Sequence, residues 1–310
     1  MAKLIGNIAF TRNRPLQLHA YLESLYRHFP AELIQTYVIY KVELFEQEYD
    51  ALFRRFPDVR VIREGDFHAD VMGVLDSFDT KYILFGIDDV VVFDSVRFEV
   101  IDEVFTNYRD EVFGFTLRFD AASLADDGEV VEACTVAGEQ VYKLDWRTAR
   151  TRHGGYPFEL CCTFYANELV KRIMRESMSS SVWAARLFKP SSPLTRALGP
   201  LGLRRSTLKR FGYFFSPNTL ESWPCRWCRR HGDRLAPFTW FQKICATAIQ
   251  VNMVNTSTRN DHYGTVEHTV EALNDKYQRG FRLDIDSVAA RGPTRPGSGR
   301  EYFELTRASH

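Results

Sequence analysis

The stretch Lys81–Asp94, KYILFGIDDVVVFD, constrains this chain most: an apolar run stops on two adjacent acids, Asp88 and Asp89, and then resumes. Carboxylates inside so hydrophobic a run are costly to bury unless paired, protonated or bound to a cation. A strand that delivers two carboxylates at its carboxyl end and turns back into another strand can hold a divalent metal. Hard oxygen ligands suit Mg²⁺ or Mn²⁺, which in turn grip a diphosphate. The plainer alternative is a turn between two buried strands.

With 310 residues the chain can bury a full core as one large domain or two small ones. No apolar run reaches the roughly 18–20 residues that span a bilayer. The opening MAKLIGNIAF meets Arg12 and Arg14 too soon to read as a secretory signal. We therefore expect a cytoplasmic protein, and six cysteines in this length are expected to be reduced thiols. The net charge of +0 hides an asymmetry: residues 1–176 carry 20 basic and 30 acidic side chains, residues 177–310 carry 20 and 10. Between Glu176 and Glu221 there is no acid, while Arg186, Lys189, Arg196, Arg204, Arg205, Lys209 and Arg210 are interleaved with Trp, Phe, Tyr and Leu. The local field, not the net charge, carries the information.

Apolar runs and helical periodicities alternate from the start. Leu4–Phe10 reads as a strand broken by Thr-Arg-Asn-Arg-Pro, and Leu16–Leu25 as a helix up to Pro30. Strands are expected at Thr36–Val42, Val59–Ile62, Lys81–Phe85 and Val112–Arg118, with helices at Glu46–Phe56, Ala69–Phe78 and Val96–Tyr108. Residues 120–156 read as irregular, Cys161–Tyr165 as a short strand, and Asn167–Met178 as a helix. A helix opens at Pro217–Glu221, Phe238–Ile249 is helical or mixed, Ile249–Val254 is a late strand, and Val266–Arg279 is a helix ended by Gly280. From Ala289 the Gly- and Pro-rich tail is expected to be disordered. This order predicts an α/β fold with a mostly parallel central sheet flanked by helices. Ligands then bind beyond the carboxyl ends of the strands, where Thr11–Arg14 and Asp88–Asp89 both fall.

Taken together, these pieces resemble GT-A (Rossmann-like) glycosyltransferases, particularly bacterial ones of the family 2 type. IAFTRNRPLQLHAYLESL is similar to their opening strand, nucleotide loop and first helix, and VIREGDFHADVMGVLDSFDTKYILFGIDDVVVF to the segment leading into their acidic metal motif. The resemblance covers residues 4–118 well and is fainter through Tyr156–Ile173, SPNTLES and IQVNMVNTSTRND. It implies residues 1–118 as a nucleotide-sugar-binding half and 119–286 as an acceptor-binding half of the same domain, with a basic insert at 183–213. Residues 287–310 form the tail. The motif departs from the family's Asp-x-Asp or triple acid: it reads Gly86-Ile87-Asp88-Asp89, with Ile87 where a triple has its first acid. Metal ligation is carried to Asp89, and metal or sugar contact to Asp88.

Glycosyl transfer develops negative charge on the departing diphosphate, which a divalent cation offsets as a Lewis acid. Thr11, Arg12 and Arg14 can hold the nucleotide, because a guanidinium fork matches phosphate oxygens; the alternative for Arg12 and Arg14 is an exposed pair ahead of Pro15 at the helix start. An inverting enzyme also needs a base for the acceptor hydroxyl. Glu221 is the first candidate, Glu159 the second and Asp145 the third; the alternative for Glu221 is a capping-box partner of Asn218. His262 is a candidate late metal ligand or a surface residue. Cys225, Cys228 and His231 have zinc-like spacing with no fourth ligand nearby, so free thiols are expected. The basic insert reads either as a solvated loop or as a seat on an anionic membrane surface beside a lipid-linked acceptor. Nucleic acid is not expected, since no binding motif accompanies the charge. Rival readings are a sugar-nucleotide pyrophosphorylase, which lacks its Gly-rich loop here, and a non-catalytic glycan-binding scaffold on a degenerate transferase fold.

Overall fold

The computed structural model describes residues 3–95, 97–177, 193, 213–252 and 266–307. His262 and the basic insert 183–213, apart from Pro193 and Tyr213, lie outside the described residues.

In chain order the elements are β1 (Ile5–Arg12), α1 (Pro15–His28), β2 (Ile34–Lys41), α2 (Glu46–Arg55), β3 (Arg60–Arg63), α3 (Phe67–Ser77), β4 (Tyr82–Ile87) and β5 (Val90–Val92). Then come α4 (Phe98–Asn107), β6 (Val112–Thr116), α5 (Ala121–Asp126), β7 (Val131–Val136), β8 (Glu139–Asp145), β9 (Thr163–Ala166) and α6 (Asn167–Ser177). The last are α7 (Pro217–Arg230), β10 (Phe238–Phe241), β11 (Ala246–Ile249), α8 (Val270–Gln278), β12 (Phe281–Leu283), α9 (Ile285–Arg291), β13 (Gly297–Ser298) and β14 (Leu305–Arg307).

Of the fourteen described strands, three form a sheet in the order β13-β11-β5, two form the β12-β14 pair, and nine build one large sheet in the order β3-β2-β1-β4-β9-β6-β10-β8-β7. Pairing is parallel from β3 through β4 and between β6 and β10, and only β8 and β9 run against the rest. The expected α/β architecture with a mostly parallel central sheet flanked by helices is thus what the chain forms. Strands from both sides of residue 118 interleave in it.

Burial on both faces explains why β1 up to Phe10 and β4 are mostly apolar, Asn7 apart. Ile5, Ala9, Tyr82 and Leu84 face one core, packed under α1, α4 and α8; Ile8, Phe10, Ile83 and Phe85 face a second, packed under α3, α6 and α7. Two glycines permit close approach of helix side chains to the sheet. A methyl at Gly86 would collide with the ring and hydroxyl of Tyr21, whose hydroxyl accepts from Asn7 Nδ2 at 2.7 Å; one at Gly6 would lie 2.8 Å from the Phe78 ring.

Three expectations are corrected. Residues 120–156 are not irregular: α5 is followed by the β7–β8 hairpin, which extends the sheet. Its two-residue turn, Ala137-Gly138, has positive φ at both positions (52° and 76°), the geometry that matches strand twist. Residues 238–249, read as helical or mixed, hold two strands, β10 and β11, and no helix, because β10 fills the slot between β6 and β8; of the late strand expected at Ile249–Val254, only Ile249 is in a strand, and residues 253 and 254 lie outside the described residues. The tail is folded as far as Arg307, since β13 adds to β11, β14 pairs with β12, and Arg118 donates to the Pro296 carbonyl at 2.8 Å. Glycine and proline content signalled turns there, and tertiary pairing overrode the signal.

Among the described residues, no helix is long and apolar enough to cross a membrane.

Candidate functional site

The chain leaves β1 through Asn13, whose positive φ of 53° is tolerable for asparagine and is fixed by Oδ1 accepting from the Glu43 and Leu44 amides at 3.0 and 3.1 Å. That turn sends Arg14 inward and leaves Arg12 outward. Arg14 is 7% exposed; its Nη1 lies 2.8 Å from Asp88 Oδ1 and 3.4 Å from Asp89 Oδ2, and its Nη2 donates to the Asn252 carbonyl at 2.5 Å. Thr11 donates to Asp88 Oδ2 at 2.9 Å and shares a 2.8 Å hydrogen bond with the buried Tyr49 hydroxyl, which also accepts from the Arg14 amide. Arg12 instead pairs with Glu43 at 2.8 Å on the surface, although its amide reaches Asp88 Oδ2 at 3.4 Å.

Asp88 and Asp89 sit in the turn between β4 and β5, and their backbone is fixed from both sides. The Asp88 amide donates to Phe10 at 3.2 Å, and the Asp89 carbonyl accepts from Ile249 at 2.8 Å. Burial pushes the Asp89 carboxyl above the usual carboxylate range, opposed by the Arg14 guanidinium and reinforced by Asp88.

A divalent cation needs free lone pairs here. Both Asp88 oxygens accept protein donors, and Asp89 Oδ2 faces Arg14, but Asp89 Oδ1 is buried with no hydrogen-bond partner. No group of three His, Cys, Asp or Glu side chains gathers among the described residues. One free carboxylate oxygen fits Mg²⁺ or Mn²⁺, which commonly bind one or two carboxylates and complete their shells with phosphate oxygens and water.

A second buried polar cluster lies at the same carboxyl edge, where β6 ends and the antiparallel β9 begins. Arg118 follows β6; its Nη1 lies 2.6 Å from Glu159 Oε2. Glu159 Oε1 accepts from Thr163 at 2.5 Å and Thr116 at 3.3 Å, so both its oxygens are occupied. Glu221, in the second turn of α7, accepts from the Leu160 amide at 3.2 Å and from the Tyr156 hydroxyl. Desolvation, with Glu159 adding to it, pushes the Glu221 carboxyl up to about 7, against the Leu160 amide and Arg118. The two clusters are within electrostatic reach: Arg118 lowers the Asp89 carboxyl, and Asp89, Arg118, Glu159 and Glu221 all act on buried Cys161.

Glu221 does not cap its helix. Ser216 is the N-cap, Thr219 Oγ1 accepts from the Ser216 amide at 3.0 Å, and Pro217 takes the first position, which leaves Glu221 to turn inward. Thr11, Arg14, Asp88 and Asp89 therefore form one cluster, Glu159 and Glu221 belong to a second within electrostatic reach of it, and Arg12 lies on the surface. Asp145 is held by its own turn, accepting from the Arg147 amide and guanidinium at 2.7–2.9 Å. Cys225 and Cys228 face the core and all six cysteines are free; His231 stacks on Trp227 at 4.5 Å, and among the described residues the zinc spacing gathers no set of three ligands. Sequence reasoning missed Arg118, Tyr49 and Tyr156. Arg118 carried a readable signal, a charge closing the apolar run Val112–Leu117; the two tyrosines carried none.

No family model matches the chain, and no curated protein is similar to it in sequence. Among solved structures it is similar to S. aureus TarS, 14% identical over 55% of this chain and 29% of that one, with a TM-score of 0.38. The 1-349 fragment of TarS in complex with UDP gives 14% identity, 55% and 48% coverage and a TM-score of 0.39. The mannosyltransferase PcManGT from Pyrobaculum calidifontis, in complex with GDP-Man and Mn2+, gives 10% identity, 76% and 74% coverage and 0.36. The chain spans less than half the length of either TarS chain. Likeness at this level carries no argument about activity, and the functional reading rests on the two charged clusters themselves. What fold and site define is an α/β protein with buried charged clusters at the carboxyl edge of its sheet.

Proposed function

We propose that this protein is a glycosyltransferase, of the GT-A family 2 type that its opening segments resemble, moving a sugar from a nucleotide diphosphate donor to a glycan or glycolipid acceptor. One observation carries the reading. An acid pair bridged by a buried guanidinium and a glutamate with a near-neutral carboxyl converge on the carboxyl edge of a mostly parallel sheet.

In this reading Thr11 and Arg14 hold the donor, and Asp89, with Asp88 beside it, holds Mg²⁺ or Mn²⁺. When bound, the cation supplies Lewis-acid stabilisation of the departing diphosphate. Arg14 steadies both acids and offers its charge to phosphate. Glu221 takes the proton from the acceptor hydroxyl, a role suited to a base whose pKa lies near the operating pH, and attack opposite the leaving group inverts the anomeric centre. Glu159, the second candidate base, is committed to Arg118 and two threonines, and it serves to fix the wall beside Glu221. Residues 1–118 then form the donor half and 119–286 the acceptor half. His262 as a further metal ligand, and the basic insert 183–213 as a seat on the inner face of an anionic membrane in the cytoplasm, extend the proposal to residues outside those described.

Thermal-shift screening of UDP, GDP, CMP and TDP, each with and without Mn²⁺, tests the donor side, since a ligand of the native state raises its stability by mass action. A metal-enhanced shift for one nucleotide, lost in Asp89→Ala, is expected; no shift with any of them overturns the reading. A second reading, a non-catalytic glycan-binding scaffold, is favoured by Arg14 already compensating both acids. Nucleotide binding without turnover of the matching sugar donor would select it.

A further inference from the structure

The loop from Arg147 to Gly155 and the end of α7 line an open cavity of about 660 Å³, a size in the range of small-molecule sites. Five arginines line it, Arg147, Arg150, Arg152, Arg229 and Arg230, against one acid, Asp233. Trp146, buried with its Nε1 donating to Ala236 at 3.0 Å, forms part of its wall.

The arginines divide into two sets. Arg147 is held by Asp145, and Arg229 donates to the Gly155 carbonyl at 2.6 Å while lying over the Tyr156 ring at 5.8 Å. These contacts brace the wall. Arg150, Arg152 and Arg230 are exposed and make no ion pair within the described residues. Among the described residues Glu129, which accepts from the Arg150 amide, is a further acid acting on this set; the three guanidinium forks stay open to a ligand, and their planar geometry matches phosphate oxygens.

From this we infer that the cavity binds a ligand bearing phosphate-type oxyanions, and that it holds the anionic part of the acceptor. The second clause rests on the transferase reading above. Tyr156 links the two places: its hydroxyl donates to Glu221, and the Arg229 guanidinium lies 5.8 Å from the centre of its ring. Glu221 and Arg229 are separated by about 12 Å of helix axis at 1.5 Å per residue. That is the reach of a sugar diphosphate or a short glycan, with its reacting hydroxyl at Glu221 and its charge among the arginines.

The test uses the full chain and inorganic pyrophosphate, titrated calorimetrically at low and high NaCl. Wild-type protein is expected to bind it, more weakly as salt rises. Arg150→Ser/Arg152→Ser/Arg230→Ser should raise the dissociation constant about tenfold or more. Arg54→Ser/Arg109→Ser/Arg175→Ser, which removes the same charge from exposed arginines outside the cavity, should leave it unchanged. Equal losses in both triple variants, or none in the first, overturn the site. Sedimentation with phosphatidylcholine vesicles containing phosphatidic acid separates the sources. Vesicle binding lost in the first variant assigns a lipid-borne anion; pyrophosphate binding without it assigns a soluble one. The nucleotide shift in the first variant distinguishes the two levels of the argument. A retained shift with lost pyrophosphate binding supports separate donor and anion sites. Pyrophosphate binding with no nucleotide shift even in the wild type leaves the anion site and removes its acceptor role.

Discussion

Replacing Arg14 by methionine tests the centre of the first cluster. The substitution removes the guanidinium that faces Asp88 at 2.8 Å, Asp89 at 3.4 Å and the Asn252 carbonyl at 2.5 Å. The three side chains are only 7%, 6% and 14% exposed, so water cannot take over the lost charge cheaply. Removing one partner of such a pair leaves uncompensated buried charge, a loss of about 3–5 kcal/mol. Arg12, two residues earlier, pairs with Glu43 at 40% and 48% exposure, and Arg12→Met should cost only about 0–1 kcal/mol. Urea unfolding in metal-free buffer measures both variants, with the slope confirming that the exposed surface is unchanged. Adding Mn²⁺ should then restore part of the loss in Arg14→Met, because a cation at Asp89 replaces the missing charge, and do little for Arg12→Met. Equal, small losses for the two variants would refute the claim that Arg14 holds the acid pair. A full loss with no rescue would refute the metal site while keeping the ion pair.

Three other outcomes follow from particular contacts. Glu221→Gln should lower turnover by about 10²–10⁴-fold and abolish the rise in kcat/KM as pH climbs through about 7, where the wild-type carboxyl loses its proton and becomes a base; a pH–rate profile of both proteins checks this. Arg118→Met should cost about 3–5 kcal/mol, whereas Arg118→Met/Glu159→Gln should cost less than the sum of the single changes, with a coupling of about 0.5–3 kcal/mol in a double-mutant cycle by urea unfolding. Gly86→Ala should destabilise by about 1–3 kcal/mol or more, because its methyl meets Tyr21, while Gly73→Ala, inside α3 with open space around it, should stabilise by about 0.5–1 kcal/mol; opposite signs in thermal unfolding are the readout.

The alternation of strands and helices through Arg118, and the placing of Asp88–Asp89 at a strand's carboxyl end, follow from local pattern. Apolar runs bounded by breakers determine which segments become strands, and a charge in such a run must come to lie where a partner waits. The β7–β8 hairpin escaped notice because Ala137-Gly138 is a weaker turn signal than Asn-Gly, and the folded tail because its pairing partners lie far away in sequence. Those are long-range contacts, and no local window contains them.

The sequence by itself determined an α/β protein with a mostly parallel sheet and an acid pair at its carboxyl edge, because burial and side-chain period are written residue by residue. Tertiary structure alone decided that Arg14 turns inward while Arg12 turns out, that Ser216 and Thr219 form the capping box of α7 and so leave Glu221 free of it, and that arginines from residues 147–152 and 229–230 share one cavity. Each of these depends on which groups meet in space, and the energy of a buried charge is set by its neighbours, not by its position in the chain.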